Sequence, residues 1–217
     1  MSYAVKEIFY TLQGEGAQAG RAAVFCRFAG CNLWSGRESE RAAAICRFCD
    51  TEFVGVDGGG GGRFEGGEEL AAAIAEKWPA GCRTNDLNLG QPFVVCTGGE
   101  PLLQLDSKLI AALHGRGFEI AVETNGTIAA PDGVNWICVS PKAGAELKQR
   151  SGDELKLVYP QAGAEPEEFE QLSFRHFFLQ PMDGAERETN TELALCYCLA
   201  HPQWRLSLQT HKILGIR

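Results

Sequence analysis

Short apolar runs alternate with stretches of helical spacing along this chain, and the alternation restricts the folds that it can adopt. Six runs have the length and apolar content of buried strands, at residues 22–28, 93–97, 118–123, 136–140, 155–159 and 176–180. Helical spacing is found in four longer stretches, at residues 68–78, 101–115, 166–172 and 190–200. Strands that alternate with helices form βαβ units with right-handed crossovers, so the sequence predicts a mainly parallel sheet.

The number of strands limits how far this sheet can close. A closed α/β barrel uses eight strands, whereas this chain of 217 residues has six candidate strands. We find no internal repeat and no second domain boundary. We therefore predict one α/β domain over residues 1–217, a partial, open TIM-like barrel of about six mainly parallel strands with fewer, modified crossover helices.

One glycine-rich segment interrupts the alternation. Residues 55–67 contain eight glycines, a composition that sustains neither helix nor strand cheaply, so we predict a flexible surface loop there. A phosphate-binding loop is excluded, because no Gly-Lys-Ser/Thr follows the glycines and no apolar strand immediately precedes them.

The charge balance excludes some classes of partner. The 28 acidic and 20 basic residues give a formal net charge of −8, the wrong sign for gripping a nucleic-acid backbone, so no direct nucleic-acid partner is expected. No apolar run approaches the roughly 20 residues of a membrane span, and the first residues lack the pattern of a signal peptide. We expect a cytoplasmic protein without a membrane partner.

Three of the nine cysteines are set apart by their context. Cys31 lies in AGCNLW, and Cys46 and Cys49 lie in CRFCDT, which gives the spacing C-x14-C-x2-C. A two-residue gap lets both thiolates of Cys46 and Cys49 face one metal centre. An odd count without a signal peptide indicates metal or redox chemistry in a reducing compartment. Other cysteines fall in apolar runs and are predicted to be small buried hydrophobes: Cys26, Cys96, Cys138, Cys196 and Cys198.

Three thiolates leave two kinds of centre open. Structural zinc wants four ligands, and all four histidines come much later in the chain, so zinc needs a distant fourth ligand. An electron-transfer [4Fe–4S] cluster also uses four cysteines, so three would leave one iron free to hold a substrate or cofactor. A catalytic cluster and a non-catalytic iron–sulfur or zinc module both remain open at this point.

The flanking motifs resemble the radical S-adenosylmethionine (SAM) superfamily and, within it, the 7-carboxy-7-deazaguanine synthase family of the queuosine and deazapurine pathway. The resemblance covers nearly the whole chain and rests on ordered motifs: YTLQGEG at 10–16, FCRF at 25–28, GCNLW at 30–34, CDT at 49–51, TGGEP at 97–101, ETNG at 123–126, SPK at 140–142, QPMD at 180–183 and QTHK at 209–212. The cluster motif departs from the superfamily's usual C-x3-C-x2-C, and residues 37–44 of the insertion are compatible with a short helix.

The resemblance implies a set of cofactor residues. Cys31, Cys46 and Cys49 would hold a [4Fe–4S] cluster whose open iron chelates SAM. Glu100 would meet the SAM ammonium, Lys142 its carboxylate, and residues 180–183 its ribose and adenine. The implied SAM-binding residues are Phe48, Cys49, Asp50, Gly98, Gly99, Glu100, Ser140, Pro141, Lys142, Gln180, Pro181, Met182 and Asp183.

The resemblance also implies the substrate 6-carboxy-5,6,7,8-tetrahydropterin. Arg27 would bind its carboxylate through two parallel hydrogen bonds, and the Thr51 hydroxyl would hold Mg²⁺ against it. The remaining implied substrate residues are Leu12, Gln13, Gly14, Glu15, Thr97, His211 and, through the chain terminus, Arg217.

The implied activity is that of a carbon–nitrogen lyase. A flavodoxin or ferredoxin would supply one electron, and a radical derived from SAM would drive contraction of the pterin ring to 7-carboxy-7-deazaguanine with loss of ammonia, SAM being used catalytically. A homodimer is expected. The alternatives are an activating enzyme of a glycyl-radical enzyme, which would need a groove for a protein partner and no Mg²⁺, and the non-catalytic module.

Overall fold

A computed structural model describes residues 2–79 and 90–217. Within those residues the strands form a single sheet in the order β3-β1-β2-β4-β5-β6-β7-β8-β9. The strands are β1 (Tyr3–Leu12), β2 (Ala22–Phe28), β3 (Gly62–Phe64), β4 (Phe93–Gly98), β5 (Glu119–Thr124), β6 (Trp136–Val139), β7 (Ser151–Tyr159), β8 (Ser173–Pro181) and β9 (Trp204–Leu206). Neighbours from β2 to β9 are parallel, and β1 runs antiparallel to both β2 and β3.

The α-helices of the described residues are few for a sheet of this width. They are α1 (Gly67–Lys77), α2 (Ser107–His114), α3 (Arg187–Ala200) and α4 (Thr210–Leu214). Short 3₁₀ turns supply other connections, at Gly16–Gln18, Glu38–Ala43, Pro101–Leu103 and Pro166–Glu168. The α/β class and the open, partial barrel with reduced crossovers are therefore confirmed.

All six predicted strands are present, and β1, β3 and β9 are additional. β1 escaped prediction because its sequence, YAVKEIFYTL, mixes charged and apolar residues on both faces. Glu7, Phe9 and Thr11 line a cavity, and two of the three are polar, so the strand lacks the uniform apolar run of its neighbours. β3 and β9 have only three residues each, which is too short for a periodic signal.

Two predicted helices are shorter in the structure. The stretch 101–115 divides into a 3₁₀ turn and α2, because Asp106 caps α2 by accepting hydrogen bonds from the Lys108 and Leu109 amides at 3.1 and 3.0 Å. The stretch 166–172 forms only the turn Pro166–Glu168. The short helix allowed at 37–44 is present as the 3₁₀ turn Glu38–Ala43.

The glycine-rich segment corrects one expectation. Residues 62–64 form β3 on the edge of β1, and Gly67 begins α1, so this segment does contain regular structure. The Gly58 amide donates to the Lys6 carbonyl and the Ile8 amide donates to the Gly59 carbonyl, both at 2.9 Å. A Cβ at Gly61 would overlap the Lys6 carbonyl oxygen. Several of these glycines therefore allow one backbone to lie directly against another.

The sheet separates an outer core from an inner one. Outward residues of β2, β4 and β5 pack with Leu70 and Ile74 of α1 and with Leu109 and Leu113 of α2. A second outer cluster joins Ala194 of α3 to β7 and β9. The alternate residues Ala23, Phe25, Phe93, Val95 and Ala121 fill the barrel interior. Among the helices of residues 2–79 and 90–217, none has both the length and the hydropathy needed to cross a membrane.

The cysteines predicted to be core residues divide into two groups. Cys26 and Cys96 are fully buried in the outer core, and Cys138 is buried against the central cavity. Cys196 is exposed and Cys198 only partly buried, so the prediction is wrong for Cys196, because α3 turns that position towards solvent.

Candidate active site

A cavity of about 350 Å³ lies within the partial barrel, and its wall includes the carboxyl ends of β4, β5, β7 and β8. In open α/β sheets this is the edge where ligands bind. All the predicted site residues line the cavity except Glu100 and Pro141. The structure therefore brings together residues from both ends of the chain, from Leu12 to Arg217.

The cluster loop (residues 31–49) returns to its own start. The amides of Ile45 and Cys46 both point to the Leu33 carbonyl, at 3.2 and 3.5 Å. The 14 residues between Cys31 and Cys46 therefore fold back, and Cys46 lies in the cavity wall beside Leu33, two residues after Cys31. The long spacing delivers its thiols to one place because the insertion closes on itself.

The three thiols differ in acidity. The Cys46 thiol donates a hydrogen bond to the Cys49 sulfur, which raises the pKa of Cys46 and lowers that of Cys49. Burial raises the pKa of Cys31. Lys142 lies beside Cys46 and Cys49, and its positive charge favours their thiolate forms. Desolvation in turn lowers the pKa of Lys142, whose Nζ donates to the carbonyl and hydroxyl of Ser140 at 2.6 and 2.7 Å.

The donor set fits an iron–sulfur cluster better than a single ion. Among the described residues, no three Cys, His, Asp or Glu side chains converge closely enough to hold one metal ion. Structural zinc would need a fourth protein ligand beside Cys31, Cys46 and Cys49. Cluster cysteines bind different iron atoms, so three thiols on one wall, next to the Lys142 cation, fit the [4Fe–4S] donor set with one iron lacking a protein ligand.

Glu100 is one of the two predicted site residues that do not line the cavity. It is fully buried, and its carboxylate accepts hydrogen bonds from the Leu102 amide, the Thr124 hydroxyl and the Asn125 amide at 2.8–3.0 Å. Burial raises its pKa. Glu100 thus lies just behind the cavity wall, where it joins the ends of β4 and β5, and its contact with the SAM ammonium stays a prediction. Pro141 is likewise buried, between Ser140 and Lys142.

The floor of the cavity carries a buried cation among carboxylates. Lys156 on β7 pairs with Glu15 and lies 3.7 Å from Glu123. Glu123 also accepts hydrogen bonds from the Gln13 amide group at 2.9 Å and from the Thr97 hydroxyl at 3.1 Å. Glu123 and Lys156 therefore connect residues predicted to contact the substrate, although neither was predicted as a site residue.

The charges of neighbouring groups determine the protonation states of Lys156 and Glu15. Burial alone would lower the pKa of Lys156, but Glu123 and Glu15 outweigh it and raise that pKa well above its ordinary value. Burial alone would raise the pKa of Glu15, but Lys156 outweighs it and lowers that pKa. Both groups are therefore charged near neutral pH although both side chains are mostly buried.

Two guanidinium groups lie together at one side of the cavity. Arg27 Nε is 2.9 Å from Glu7 Oε1, and Arg217 Nη2 is 2.8 Å from Glu7 Oε2. Both cations lie over the Phe9 ring, at 5.9 and 5.2 Å from its centroid. The Arg217 carbonyl accepts from the Thr11 hydroxyl at 2.7 Å. The sequence predicted that only the terminal carboxylate of Arg217 contacts the substrate, and the structure also places its guanidinium at the cavity wall.

The C-terminal segment (residues 209–217) crosses the cavity mouth. Lys212 Nζ lies 2.6 Å from both Asp50 and Asp183, and Gln209 donates to Glu15 at 3.0 Å and to Asp50 at 3.3 Å. His211 packs so closely on Gly14 that a Cβ there would overlap its ring. This segment therefore joins the cluster loop, the end of β8 and the turn after β1.

Sequence reasoning had signals for some residues that it missed. Glu123 opens the ETNG motif, and Gln209 and Lys212 belong to the QTHK motif, but neither motif was assigned a contact of this kind. Lys156 is a charge within an apolar strand, which is uncommon unless the charge is paired. Its partners come from residues 15 and 123, so only the fold reveals the pairing.

The fold and the cavity define a class of protein: a partial α/β barrel with three cysteines on one wall of its cavity and a charged floor. Comparison with known proteins names the family. The chain is 69% identical to the 7-carboxy-7-deazaguanine synthase of Bradyrhizobium diazoefficiens and 65% identical to that of Caulobacter vibrioides, each over 100% of both chains. It superposes on the crystal structure of QueE from Escherichia coli with a TM-score of 0.70 and 27% identity, covering 96% of this chain and 94% of the other. No protein-family model matches.

The chain therefore belongs to the 7-carboxy-7-deazaguanine synthase family, and it is an enzyme. The resemblance seen in the ordered motifs is confirmed, and membership argues against the glycyl-radical activating enzyme and the non-catalytic module.

Proposed function

We propose that this enzyme converts 6-carboxy-5,6,7,8-tetrahydropterin to 7-carboxy-7-deazaguanine with loss of ammonia, in a reaction that depends on SAM and Mg²⁺. The observation that carries the proposal is a single cavity with three cysteines at one wall and two arginines and a charged floor elsewhere. The names of the full-length relatives support the same activity.

The cluster and SAM would occupy the wall formed by the cluster loop and the ends of β4 and β8. Cys31, Cys46 and Cys49 would bind three irons of a [4Fe–4S] cluster, and Lys142 would balance the charge of the thiolates and of the SAM carboxylate. When bound, these cofactors supply the radical chemistry that removes a hydrogen atom from the substrate. Phe48, Asp50, Gly98 and Gly99, with residues 180–183, would bind and orient SAM.

The pterin would lie between the arginines and the floor. Arg27 presents two nitrogens beyond its Glu7 contact, which suits a bidentate hydrogen bond with the substrate carboxylate. Thr51 would share Mg²⁺ with that carboxylate, and water would complete the shell. Glu15 and Glu123 are acceptors for the N–H groups of the pterin edge, and Gln13 and Thr97 hold Glu123 in place.

The remaining residues would position the substrate and exclude water. The C-terminal segment covers the cavity through its contacts with Asp50, Asp183 and Glu15. Holding the reacting carbon near SAM and away from solvent would lower the activation barrier of the reaction. A one-electron donor such as flavodoxin or ferredoxin, a homodimeric state and a cytoplasmic location complete the proposal.

The test is an anaerobic assay of the reconstituted, reduced protein with SAM, Mg²⁺ and 6-carboxytetrahydropterin. The expected result is 7-carboxy-7-deazaguanine and ammonia in equal amounts, over many turnovers per SAM. A Cys49→Ala variant should lose both iron and product. Cleavage of SAM without deazaguanine would retain the cofactor assignment and reject the substrate; colourless wild-type protein that binds zinc would reject both.

A further inference from the structure

The insertion in the cluster loop has a fold that the proposed chemistry does not by itself explain. Glu38–Ala43 forms a 3₁₀ turn on the outside of the loop, and none of its residues lines the cavity. One side chain of this turn, Arg41, reaches back to the segment that carries Cys46 and Cys49.

Arg41 joins the 3₁₀ turn to the backbone carbonyls near the last two cluster cysteines. Its Nη1 donates hydrogen bonds to the carbonyl oxygens of Arg47 at 2.9 Å and of Cys49 at 3.1 Å. Those two carbonyls lie on either side of Phe48 and at Cys49, the last cluster cysteine. A cationic donor shared by two carbonyls fixes the orientation of the peptide planes between them, because charge-assisted hydrogen bonds are stronger than neutral ones.

The guanidinium is itself held from two other sides. Its Nε donates to both Glu38 oxygens at 2.9 and 2.8 Å, and its carbon lies 4.1 Å from the centroid of the Trp34 ring. Trp34 is buried and packs edge-to-face on Phe53, with centroids 5.6 Å apart. Trp34 follows Cys31 by three residues, so one guanidinium connects the segment after the first cluster cysteine to the segment around the last two.

A planar fork is required for these contacts. Arginine can stack on an indole while its edge nitrogens donate to a carboxylate and to two carbonyls, whereas a lysine ammonium offers no stacking plane. Only 28% of the Arg41 side chain is exposed, against 74% for Arg37, which pairs only with Glu40 in the same turn. Arg37 is therefore a suitable control for Arg41, because only the Arg41 side chain of these two bonds to the segment that carries Cys46 and Cys49.

We infer that Arg41 is a positioning residue for the iron–sulfur cluster: it locks the backbone of residues 47–49, so that a spacing of 14 residues between Cys31 and Cys46 presents its thiols as a short motif would. This inference rests on the proposed cluster and concerns how this chain holds it. Arg41 does not line the cavity, so its effect reaches the cofactor through the backbone of residues 47–49 and through Trp34, which does line it.

The test compares Arg41→Met, Arg41→Lys and the control Arg37→Met after anaerobic reconstitution with iron and sulfide. Loss of two charge-assisted hydrogen bonds should speed removal of iron by a ferrous chelator about tenfold or more in Arg41→Met. Arg41→Lys should be intermediate, and Arg37→Met should match the wild type. The melting temperature of each apoprotein should stay close to wild type, which separates positioning from general instability.

A second measurement avoids dependence on iron. Amide exchange of residues 46–50 in the reduced apoprotein should be faster in Arg41→Met than in Arg37→Met, with the rest of the chain unchanged. If Arg41→Met loses iron and exchanges its amides at the wild-type rates, the inference is wrong. If Arg41→Met does not fold, the same two rates measured in Arg41→Lys decide. Failure of the wild type to take up a cluster would instead count against the proposed function and leave the exchange result to decide on Arg41.

Discussion

At the scale of single residues, the buried Lys156 determines whether the cavity floor is stable. Its side chain is only 6% exposed and faces Glu15 and Glu123, so its charge compensates two carboxylates that are themselves mostly buried. Such a pair contributes little when intact, because desolvation offsets the attraction, but removing one partner leaves an uncompensated buried charge.

Lys156→Met should therefore destabilise the apoprotein by about 3 kcal/mol at pH 7 in urea unfolding. In the wild type the lowered pKa of Glu15 adds stability above its ordinary pKa, and this is lost as pH falls through the folded value. In the variant, burial raises the pKa of Glu15, so protonation relieves the penalty and the difference between the two proteins should shrink as pH falls from 7 to 5. Exposed Lys148→Met is the control; a difference independent of pH would contradict the role given to Lys156.

Arg27 permits a second test at the residue scale. Arg27→Lys keeps the charge beside Glu7 but loses the fork that can bind a carboxylate through two parallel hydrogen bonds. We expect KM for the pterin to rise roughly tenfold or more, with uncoupled SAM cleavage preserved. Steady-state kinetics with exposed Arg63→Lys as the control would decide, and an unchanged KM would show that the substrate carboxylate binds elsewhere.

At the scale of elements, the glycine-rich segment shows that composition can conceal regular structure. Gly61 lies against the Lys6 carbonyl, whereas Gly62, its neighbour in β3, has only ordinary contacts with the Phe64 ring. Both positions have the same composition signal, but only Gly61 lacks room for a Cβ.

Gly61→Ala should destabilise the protein by about 1–3 kcal/mol, because the methyl group must push β1 away from the loop. Gly62→Ala should be close to neutral. Thermal unfolding of the two apoproteins, measured side by side, tests the difference, and equal melting temperatures would mean that the segment does not pack on β1 as the structure has it.

Elements with a uniform environment were predictable from the sequence. The central parallel strands are buried on both faces, so each gives a continuous apolar run, and β2 was predicted to the residue. β1 has a mixed sequence because part of it faces the cavity, and the segment at 166–172 lost its predicted helix to a single 3₁₀ turn. Most residues that line the cavity lie in the ordered motifs, and their roles stay predictions. Lys156 and Arg41 contact partners that are distant in the chain or placed by loop geometry, which no local pattern contains.

At the scale of the whole molecule, the C-terminal segment joins the first and last parts of the fold. Thr210 donates to the Gly14 carbonyl through its amide and hydroxyl at 3.0 and 2.9 Å, and Lys212 pairs with Asp50 and Asp183. Residues of this segment thus line the cavity, and the part of its attachment that rests on the Lys212 ion pairs depends on pH.

Lys212→Met should release that segment. Despite burial, which acts the other way on each group, pairing raises the pKa of Lys212 and lowers that of Asp50. The attachment is therefore present above the ordinary pKa of aspartate, near 4, and below that of lysine, near 10.4. It is lost as pH falls or rises through the shifted values.

The two partly exposed ion pairs of Lys212 should protect the amides of the segment from exchange roughly tenfold. Amide exchange of residues 209–217, corrected for its intrinsic pH dependence, should show this protection between about pH 5 and 9 in the wild type and in Lys148→Met, and not in Lys212→Met. Equal protection in Lys212→Met would mean that Gly14 and His211 packing, and not charge, holds the segment over the cavity.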